Sequence, residues 1–429
     1  MPSISRSKRA LFNVILALVA YLLVEAASIA LHFVTQQELF SFSVIRAERQ
    51  VILDAVDRVT PTEFGAIAVG NPRGSVYEVL HPYLGFVVDP TRTPALSELG
   101  FPDSEVRVYP KDPNRVVIGI FGGSFAAGLS LLTKDILVDR LKKSPRFAGK
   151  EIKILTVAIW GYKQPQQLLS LAYLVTLGAH FDIVVNLDGL NEVALPAVEN
   201  VPKGVFPFYP RNWSVRMGTF DARMQAFARK HANLVDERRD WARLLSRSPL
   251  RFSVTANVAW QTWDHIIDNR LKEINVAALK YRISGTAGGY TTRGPNRSYA
   301  DEDALYEDLG SVWKAASVQM KALAAANGMK YLHFLQPNQY VEGSKEMGPK
   351  ERKIAYEEGH PYRTSVMVGY PKLRKKGTEL RKLGVPFFDL TMILADHKEP
   401  LYVDSCCHLG KEGYGIIASR IAEEIAKHY

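Results

Sequence analysis

Two segments of the sequence contain the residue types that nucleophilic catalysis requires. Ser124 follows two glycines and the apolar run VVIGIF, which is typical of a buried strand. Asp404 and His408 lie near the C-terminus, just before a segment that suits a helix. A serine hydroxyl needs a base, usually histidine, and the histidine needs an acceptor, usually a carboxylate, that orients its ring. We therefore predict that Ser124 is a nucleophile, His408 its base and Asp404 the acid.

The Gly-Gly-Ser turn alone is not specific for catalysis. Glycine and serine at a helix start also form an ordinary N-cap or part of a phosphate-binding turn. A helix that starts directly after a strand nevertheless presents free N–H groups and a positive dipole at the carboxyl edge of the sheet, where they stabilise an oxyanion. The Asp404–His408 pair favours the catalytic interpretation of Ser124, because it supplies the base and the acid that a serine nucleophile needs.

The elements expected to position these residues are strands that alternate with helices. This alternation indicates a parallel sheet covered on both faces. The apolar runs that predict strands are 116–121, 152–158, 182–187, 331–335 and 385–389. A last helix is predicted from about Lys411 to His428. The predicted fold is α/β: a three-layer, flavodoxin-like sandwich with about five parallel strands, an N-terminal transmembrane helix and a helical insertion.

Four motifs in this pattern resemble, in the same order, those of the SGNH/GDSL hydrolase superfamily. The resemblance runs from Val116 to the C-terminus, interrupted by the insertion. The matching residues are Ser124 in the first motif, Gly161 in the second, Asn191 in the third, and Asp404 with His408 in the fourth. The resemblance implies an acyl-enzyme on Ser124. It also implies an oxyanion hole made by the backbone N–H groups of Ser124 and Gly161 and by the Asn191 side chain.

The chain departs from the family pattern at two positions. Gly123 stands where the family usually has an aspartate before the serine, and Ser405 stands where the usual Asp-x-x-His spacing places the acid. Asp404 reaches His408 only if the loop between them bulges. Otherwise a backbone carbonyl or another carboxylate would orient the histidine, with Asp389 as a less favoured substitute.

The N-terminal part of the chain predicts a membrane anchor. Arg6, Lys8 and Arg9 precede an apolar run, 11–34, that is long enough to cross a bilayer as a helix. Basic residues before the run predict a cytoplasmic N-terminus. A cleaved signal peptide is the alternative, although its apolar core is usually about 7–15 residues long. Glu25 interrupts the run, which indicates either a position near the outer interface or a contact with a membrane partner.

These features divide the chain into consecutive segments. A long insertion in an α/β domain commonly shapes the substrate cleft, and packing alone is the other interpretation. The predicted segments are a cytoplasmic tail (1–10), a transmembrane anchor (11–34), a stalk (35–60), an irregular extension (61–115) and the hydrolase-like domain (116–429), with its insertion at about 196–300.

Charge and cysteine content restrict the partners. The 429-residue chain carries a formal net charge of +10, which favours anionic partners such as acidic glycans or phospholipid headgroups. The sequence has no zinc-finger spacing and no RNA-binding motif, so we predict no nucleic-acid partner. Its two cysteines, Cys406 and Cys407, are adjacent, which disfavours a disulfide between them, and two cysteines alone cannot make a structural zinc site. We predict neither a metal nor a cofactor.

The predicted function is serine-dependent hydrolysis or transfer of an O-acyl ester, with acetyl groups on an envelope glycan as the first substrate class. Members of the resembled family that are membrane-anchored often act on such groups. The predicted location is the inner membrane, single-pass, with the catalytic domain on the periplasmic side. Lipid esters are an alternative substrate, and a non-catalytic, membrane-tethered glycan-binding or assembly protein is an alternative function.

Overall fold

The structure is a computed structural model that describes residues 6–54, 67–69, 76–91, 96–217, 222–283 and 289–429. The chain divides into two compact units. Four helices form the first unit, and the second contains both sheets and the other helices. Parts of the predicted tail, stalk and extension, including 1–5 and 55–66, lie outside the described residues.

A small antiparallel sheet belongs to the second unit. Its strands are β1 (Ile67–Val69), β2 (Val76–His81) and β3 (Gly85–Val88), and they pair in that order. Phe86 and Val88 of β3 are fully buried and belong to the main hydrophobic core. This part of the predicted irregular extension thus contributes strand residues to the core of the second unit.

A five-stranded parallel sheet forms the centre of the second unit. Its strands are β4 (Arg115–Gly122), β5 (Glu151–Ala158), β6 (Ile183–Asp188), β7 (Lys330–Leu335) and β8 (Phe387–Asp389). They lie in the order β5-β4-β6-β7-β8. All of β6 and all but the first residue of β4 are buried, which explains their unbroken apolar runs. The predicted α/β fold with five parallel strands is confirmed, and each strand lies within two residues of its prediction.

Helices flank this sheet. The helices of the described chain are α1 (Arg6–Gln36), α2 (Phe42–Asp54), α3 (Ser124–Lys142), α4 (Gln166–Thr176), α5 (Leu190–Leu195), α6 (Trp213–Arg216), α7 (Ala222–Arg247), α8 (Val254–Ile283), α9 (Tyr290–Arg293), α10 (Glu302–Ala326), α11 (Pro349–Ala355), α12 (Arg363–Lys382) and α13 (Lys411–His428). Helix α3 packs against α13, whereas α10 packs against α4, α5 and α12. Helix α13 begins and ends where it was predicted.

The first unit consists of α1, α2, α7 and α8. Helices α7 and α8 form an antiparallel pair in which Arg238 donates two hydrogen bonds to Asp264, at 2.6 and 2.8 Å. Helix α1 is long and apolar enough to cross a membrane, a property that it shares with signal sequences. The segment predicted as one insertion divides between the units: α7 and α8 belong to the first, and 196–217 and 289–300 to the second.

Candidate active site

Ser124 is the first residue of α3 and follows the carboxyl end of β4. Gly122 makes this sharp turn possible, because its φ is +153° and a Cβ there would lie 2.2 Å from the Leu187 carbonyl oxygen of β6. Ser124 is half-buried. Its hydroxyl forms no hydrogen bond to another described residue, so it is available to a ligand.

The structure brings Asp404 and His408 together despite their unusual spacing. One carboxylate oxygen of Asp404 lies 2.5 Å from Nδ1 of His408. The other accepts the backbone N–H groups of Cys406, Cys407 and His408 itself, at 2.9, 3.0 and 3.1 Å. The chain therefore winds around the carboxylate, and this tight turn brings the histidine ring back to it. Asp389, the other candidate acid, instead bonds to Arg374 and Thr391.

The bond between Asp404 and His408 shifts the pKa of both groups. Burial raises the pKa of the Asp404 carboxyl, but the hydrogen bond and charge of His408, with the backbone donors, outweigh it and lower the pKa to about 2. Burial lowers the pKa of His408, but the hydrogen bond and charge of Asp404 raise it by more. The pKa of His408 therefore lies above its ordinary value. Because Asp404 occupies Nδ1, the ring presents Nε2 for chemistry.

The loop that carries this pair is closed at its base. Tyr402 and Leu409 form an antiparallel bridge, and the Val403 N–H donates to the His408 carbonyl at 2.9 Å. Buried Glu351 accepts the N–H groups of Leu401 and Tyr402, each at 2.8 Å. The histidine therefore extends from a short loop whose two ends are fixed to each other.

Three consecutive side chains after β7 hold the middle of the same loop. Asn338 donates to the Cys406 carbonyl at 3.1 Å, Gln339 to the Asp404 carbonyl at 3.0 Å, and Tyr340 to the Ser405 carbonyl at 2.9 Å. These residues are not predictable from the sequence, because nothing in a segment reading QPNQY indicates partners more than sixty residues away. They satisfy carbonyl groups that would otherwise be unpaired and fix the loop geometry.

Helix packing relates the His408 loop to the start of α3. Helix α13 begins three residues after His408, and its Tyr414 packs edge-on against Phe125, with ring centroids 5.1 Å apart. Among the described residues, no hydrogen bond joins Ser124 to His408. Catalytic hydrogen bonds are often long without substrate and tighten in the complex, so the absence of this hydrogen bond is compatible with a triad.

The predicted oxyanion residues meet beside Ser124. The Asn191 side-chain amide donates to the Tyr162 carbonyl at 2.8 Å, next to Gly161. A Cβ at Gly123 would lie 2.2 Å from Nδ2 of Asn191. The amide thus occupies the space that any side chain at Gly123 would need, which explains why an aspartate is not found there.

Buried Glu192 links the loops that carry Gly161 and Asn191. Its carboxylate accepts the N–H of Gly189 at 2.8 Å, the N–H of Gln164 at 3.2 Å and the amide of Gln167 at 3.0 Å. Burial and the nearby Asp188 raise the pKa of Glu192 to about 8. Glu192 is a positioning residue that the sequence pattern does not reveal, because a glutamate in the first turn of a helix usually only caps that helix.

A second Ser–His–Asp chain lies in the core and is structural. His333 bonds through Nε2 to Asp188 at 2.9 Å and through Nδ1 to Ser317 at 2.8 Å. Trp313 donates to the same Asp188 oxygen at 2.7 Å. Ser317 and His333 are 0% exposed and Asp188 is 1% exposed, so no substrate reaches them. This network satisfies polar groups between β6, β7 and α10.

The two cysteines are packed beside His408 as free thiols with their sulfur atoms 3.6 Å apart. With His408 they form the one group in the described part of the chain whose ligand atoms are close enough together to hold a metal ion, since all lie within 4.8 Å of one another. The hydrogen bond from Cys406 and burial raise the pKa of the Cys407 thiol well above its ordinary value. The hydrogen bond to Cys407 has the opposite effect on Cys406 and lowers the pKa of its thiol.

No family model and no curated protein matches the chain. Among solved structures, it is similar to a GDSL-like lipase from Bacteroides thetaiotaomicron VPI-5482, with 12% identity, a TM-score of 0.34, and coverage of 73% of this chain and 89% of that one. It is also similar to the lipase/acylhydrolase from Enterococcus faecalis, with 12% identity, a TM-score of 0.32, and coverage of 73% and 96%. Both neighbours are lipases by name.

Proposed function

We propose that this protein is a serine esterase or acyltransferase of the SGNH/GDSL type. The observation that carries the proposal is the 2.5 Å contact between Asp404 and His408 on the loop that leads into α13. Helix α13 packs against α3, the helix that Ser124 begins. A carboxylate, an imidazole and a serine at a helix N-terminus are the groups that acyl transfer through a serine requires.

In the proposed mechanism, Nε2 of His408 removes the Ser124 proton as Oγ attacks the ester carbonyl. The N–H groups of Ser124 and Gly161 and one amide hydrogen of Asn191 stabilise the oxyanion. Asn191 has two amide hydrogens, and only one is needed for the Tyr162 carbonyl. His408 then protonates the leaving alcohol, and the acyl group stays on Ser124. An incoming hydroxyl, deprotonated by His408, releases it.

We propose an O-acyl ester, first of all an acetyl ester on an envelope glycan, as the substrate. Water as acceptor gives hydrolysis, and a sugar hydroxyl gives acyl transfer. The apolar α1 supports an anchor in the inner membrane, with the catalytic residues on the periplasmic side. The net charge of +10 supports an anionic glycan, and lipid esters remain the alternative substrate.

A fluorophosphonate probe, which reacts with activated serines, tests the proposal. We expect it to label the wild-type protein and not Ser124→Ala, while Ser405→Ala, on the His408 loop, serves as the matched control and is labelled. The alternative is a non-catalytic, membrane-tethered glycan-binding or assembly protein, which the missing Ser124–His408 hydrogen bond favours. Folded wild-type protein that neither reacts with the probe nor hydrolyses 4-nitrophenyl acetate would overturn the proposal and favour that alternative.

A further inference from the structure

Arg211 lies over Gly161, one of the proposed oxyanion donors. A Cβ built on Gly161 would lie 2.4 Å from Cδ of Arg211 and 3.4 Å from its Nη1. The guanidinium therefore lies next to the loop that carries Gly161.

The terminal nitrogens of Arg211 are available to a ligand. Its Nε lies 3.3 Å from Glu199, whose other carboxylate oxygen accepts the Tyr362 hydroxyl at 2.8 Å. Nη1 and Nη2 make no hydrogen bond to any residue in the described ranges. The side chain is 32% exposed, so solvent and substrate reach these two nitrogens.

The segment that carries Arg211 is fixed by buried polar groups. The Lys163 ammonium donates to the carbonyls of Pro207 and Tyr209, at 2.9 and 2.5 Å. Nε of Arg216 donates to the Arg211 carbonyl at 3.0 Å, and Arg216 itself is buried in an ion pair with Glu78. A guanidinium held in this way loses little freedom when it binds a ligand.

We infer that Arg211 binds an anionic group of the substrate, a carboxylate or a phosphate, carried close to the ester. This inference rests on the proposed function and names its substrate class. Two free N–H-bearing nitrogens in one plane match the two oxygens of such a group. Because the guanidinium covers Gly161, the anionic group must lie beside the scissile bond, as on an acylated uronic acid or sugar phosphate. The subsite therefore selects anionic over neutral acyl glycans.

The experiment compares three acetyl esters that differ in one group, which is one carbon from the ester oxygen: acetoxyacetamide, acetoxyacetate and acetoxymethylphosphonate, whose phosphonate stands for a phosphate. The measured quantity is the ratio of kcat/KM for each anionic ester to kcat/KM for the neutral amide. We expect a ratio of about ten or more in the wild type, because hydrogen bonds to charged groups are the stronger ones. Arg211→Met should bring the ratio close to one, and Arg211→Lys should restore part of it. The matched control Arg146→Met removes an exposed arginine and should leave the ratio unchanged.

The outcomes distinguish the anion subsite at Arg211 from the proposed esterase or acyltransferase function. The ester with the larger ratio identifies the carboxylate or the phosphate as the ligand. Equal ratios in the wild type and Arg211→Met overturn the anion subsite while hydrolysis itself still supports the proposed function. A wild type that hydrolyses none of the esters and is not labelled at Ser124 overturns the proposed function, and the subsite with it.

The turn between α7 and α8, residues 248–253, lies against α1. Glu25 of α1 accepts the Ser253 hydroxyl and the Val254 N–H, each at 2.5 Å, and Ser28 bonds to Thr255 at 2.9 Å. The carboxylate in the apolar run thus caps the N-terminus of α8 within the same chain. The hydrogen bonds and the positive end of the α8 dipole compensate for the Glu25 charge in an apolar segment.

This contact fixes the depth of the turn if α1 crosses a bilayer. A hydrocarbon core of about 30 Å takes about 20 helical residues. A span that starts at Leu11 therefore ends near Ala30, so Glu25 and Ser28 lie inside the outer boundary. The turn bonded to them is at the same depth.

The turn carries side chains that suit a lipid environment. Leu250 is 50% exposed and Phe252 is 65% exposed, and the guanidinium of Arg251 lies 4.7 Å from the Phe252 ring. Trp241 and Leu244, on the last turns of α7, are also exposed. Apolar tips with tryptophan and arginine at their edge are typical of segments that enter the membrane interface. We propose that the 248–253 turn inserts into the outer leaflet beside α1.

Depth-dependent quenching tests this insertion. Phe252→Cys, in a chain with Cys406→Ser and Cys407→Ser, is labelled with a polarity-sensitive fluorophore and reconstituted in phosphatidylethanolamine–phosphatidylglycerol vesicles. We expect a blue shift and quenching by doxyl-labelled lipids. The matched control is Leu279→Cys, which is 54% exposed and lies about 40 Å further along α8. Water-like emission from both positions would overturn the proposal.

Discussion

At the scale of single residues, Asp404 has two tasks. One oxygen accepts three backbone N–H groups and so shapes the loop, and the other holds Nδ1 of His408. The four-residue spacing follows from this division, because the chain must turn around the carboxylate before the ring can meet it. A substitution that removes the charge of Asp404 but keeps its shape therefore changes the pKa of His408 more than it changes the conformation of the loop.

We predict that Asp404→Asn lowers kcat by about 10²- to 10⁴-fold and shifts the pH–rate profile. His408 acts as a base only when neutral. Asp404 raises the pKa of His408, so the wild-type acid limb lies above the ordinary histidine value. Without the carboxylate charge, burial lowers that pKa and only the charge of Cys406 opposes it, so the limb moves to lower pH. The kcat/KM profile from pH 5 to 9 measures this, with exposed Asp135→Asn as control; an unmoved limb would contradict the pairing.

A second residue-scale prediction concerns Gly123. In Gly123→Ala the new Cβ would meet Nδ2 of Asn191 at 2.2 Å, so the amide must move away from the proposed oxyanion position. Loss of one such donor typically costs about 10²–10³ in kcat. Ester hydrolysis and circular dichroism measure activity and folding. The control is Gly359→Ala, whose Cβ would meet nothing within 4 Å. An unchanged kcat in Gly123→Ala would show that Asn191 does not contribute.

At the scale of elements, the site is assembled by loops at the carboxyl ends of β4, β5 and β6 and by the loop before α13. The strands and α13 were predictable because their apolar periodicity is local. The contacts that join the loops were not, since Glu192, Asn338 and Arg211 act on partners distant in the chain or on backbone groups that any residue has. The sequence pattern thus predicts the candidate site residues, and the structure shows which contacts hold the loops that carry them.

Glu192→Gln tests this assembly of loops. The Glu192 carboxyl, which is ionised above its pKa of about 8, accepts three N–H groups, and a glutamine would place its own NH₂ against at least one of them. Leaving a buried donor unpaired costs about 1–3 kcal/mol, and Asn191 next to it should move. We expect a lower free energy of unfolding in urea and a lower kcat. Exposed Glu423→Gln is the control. A variant with wild-type stability and kcat would show that the link between the loops is dispensable.

At the scale of the whole molecule, the apolar helix and the proposed active site belong to different compact units of one chain. If α1 remains attached, the proposed chemistry is confined to a membrane surface, which favours envelope polymers or lipids over free metabolites as substrates. If α1 is removed as a signal peptide, the same site would act in solution. The two outcomes therefore imply different substrates.

We predict that the full chain, expressed in a Gram-negative bacterium, keeps its N-terminal residues and stays in the membrane. The basic residues before the apolar run remain inside, and the rest of the chain is exported. Intact mass gives the N-terminus, and an alkaline carbonate wash separates spanning from peripheral proteins. A C-terminal tag should be digested in spheroplasts by external protease. A mass lacking about the first thirty residues, with release by carbonate, would instead establish a cleaved signal peptide. It would also remove Glu25, and with it the cap on α8.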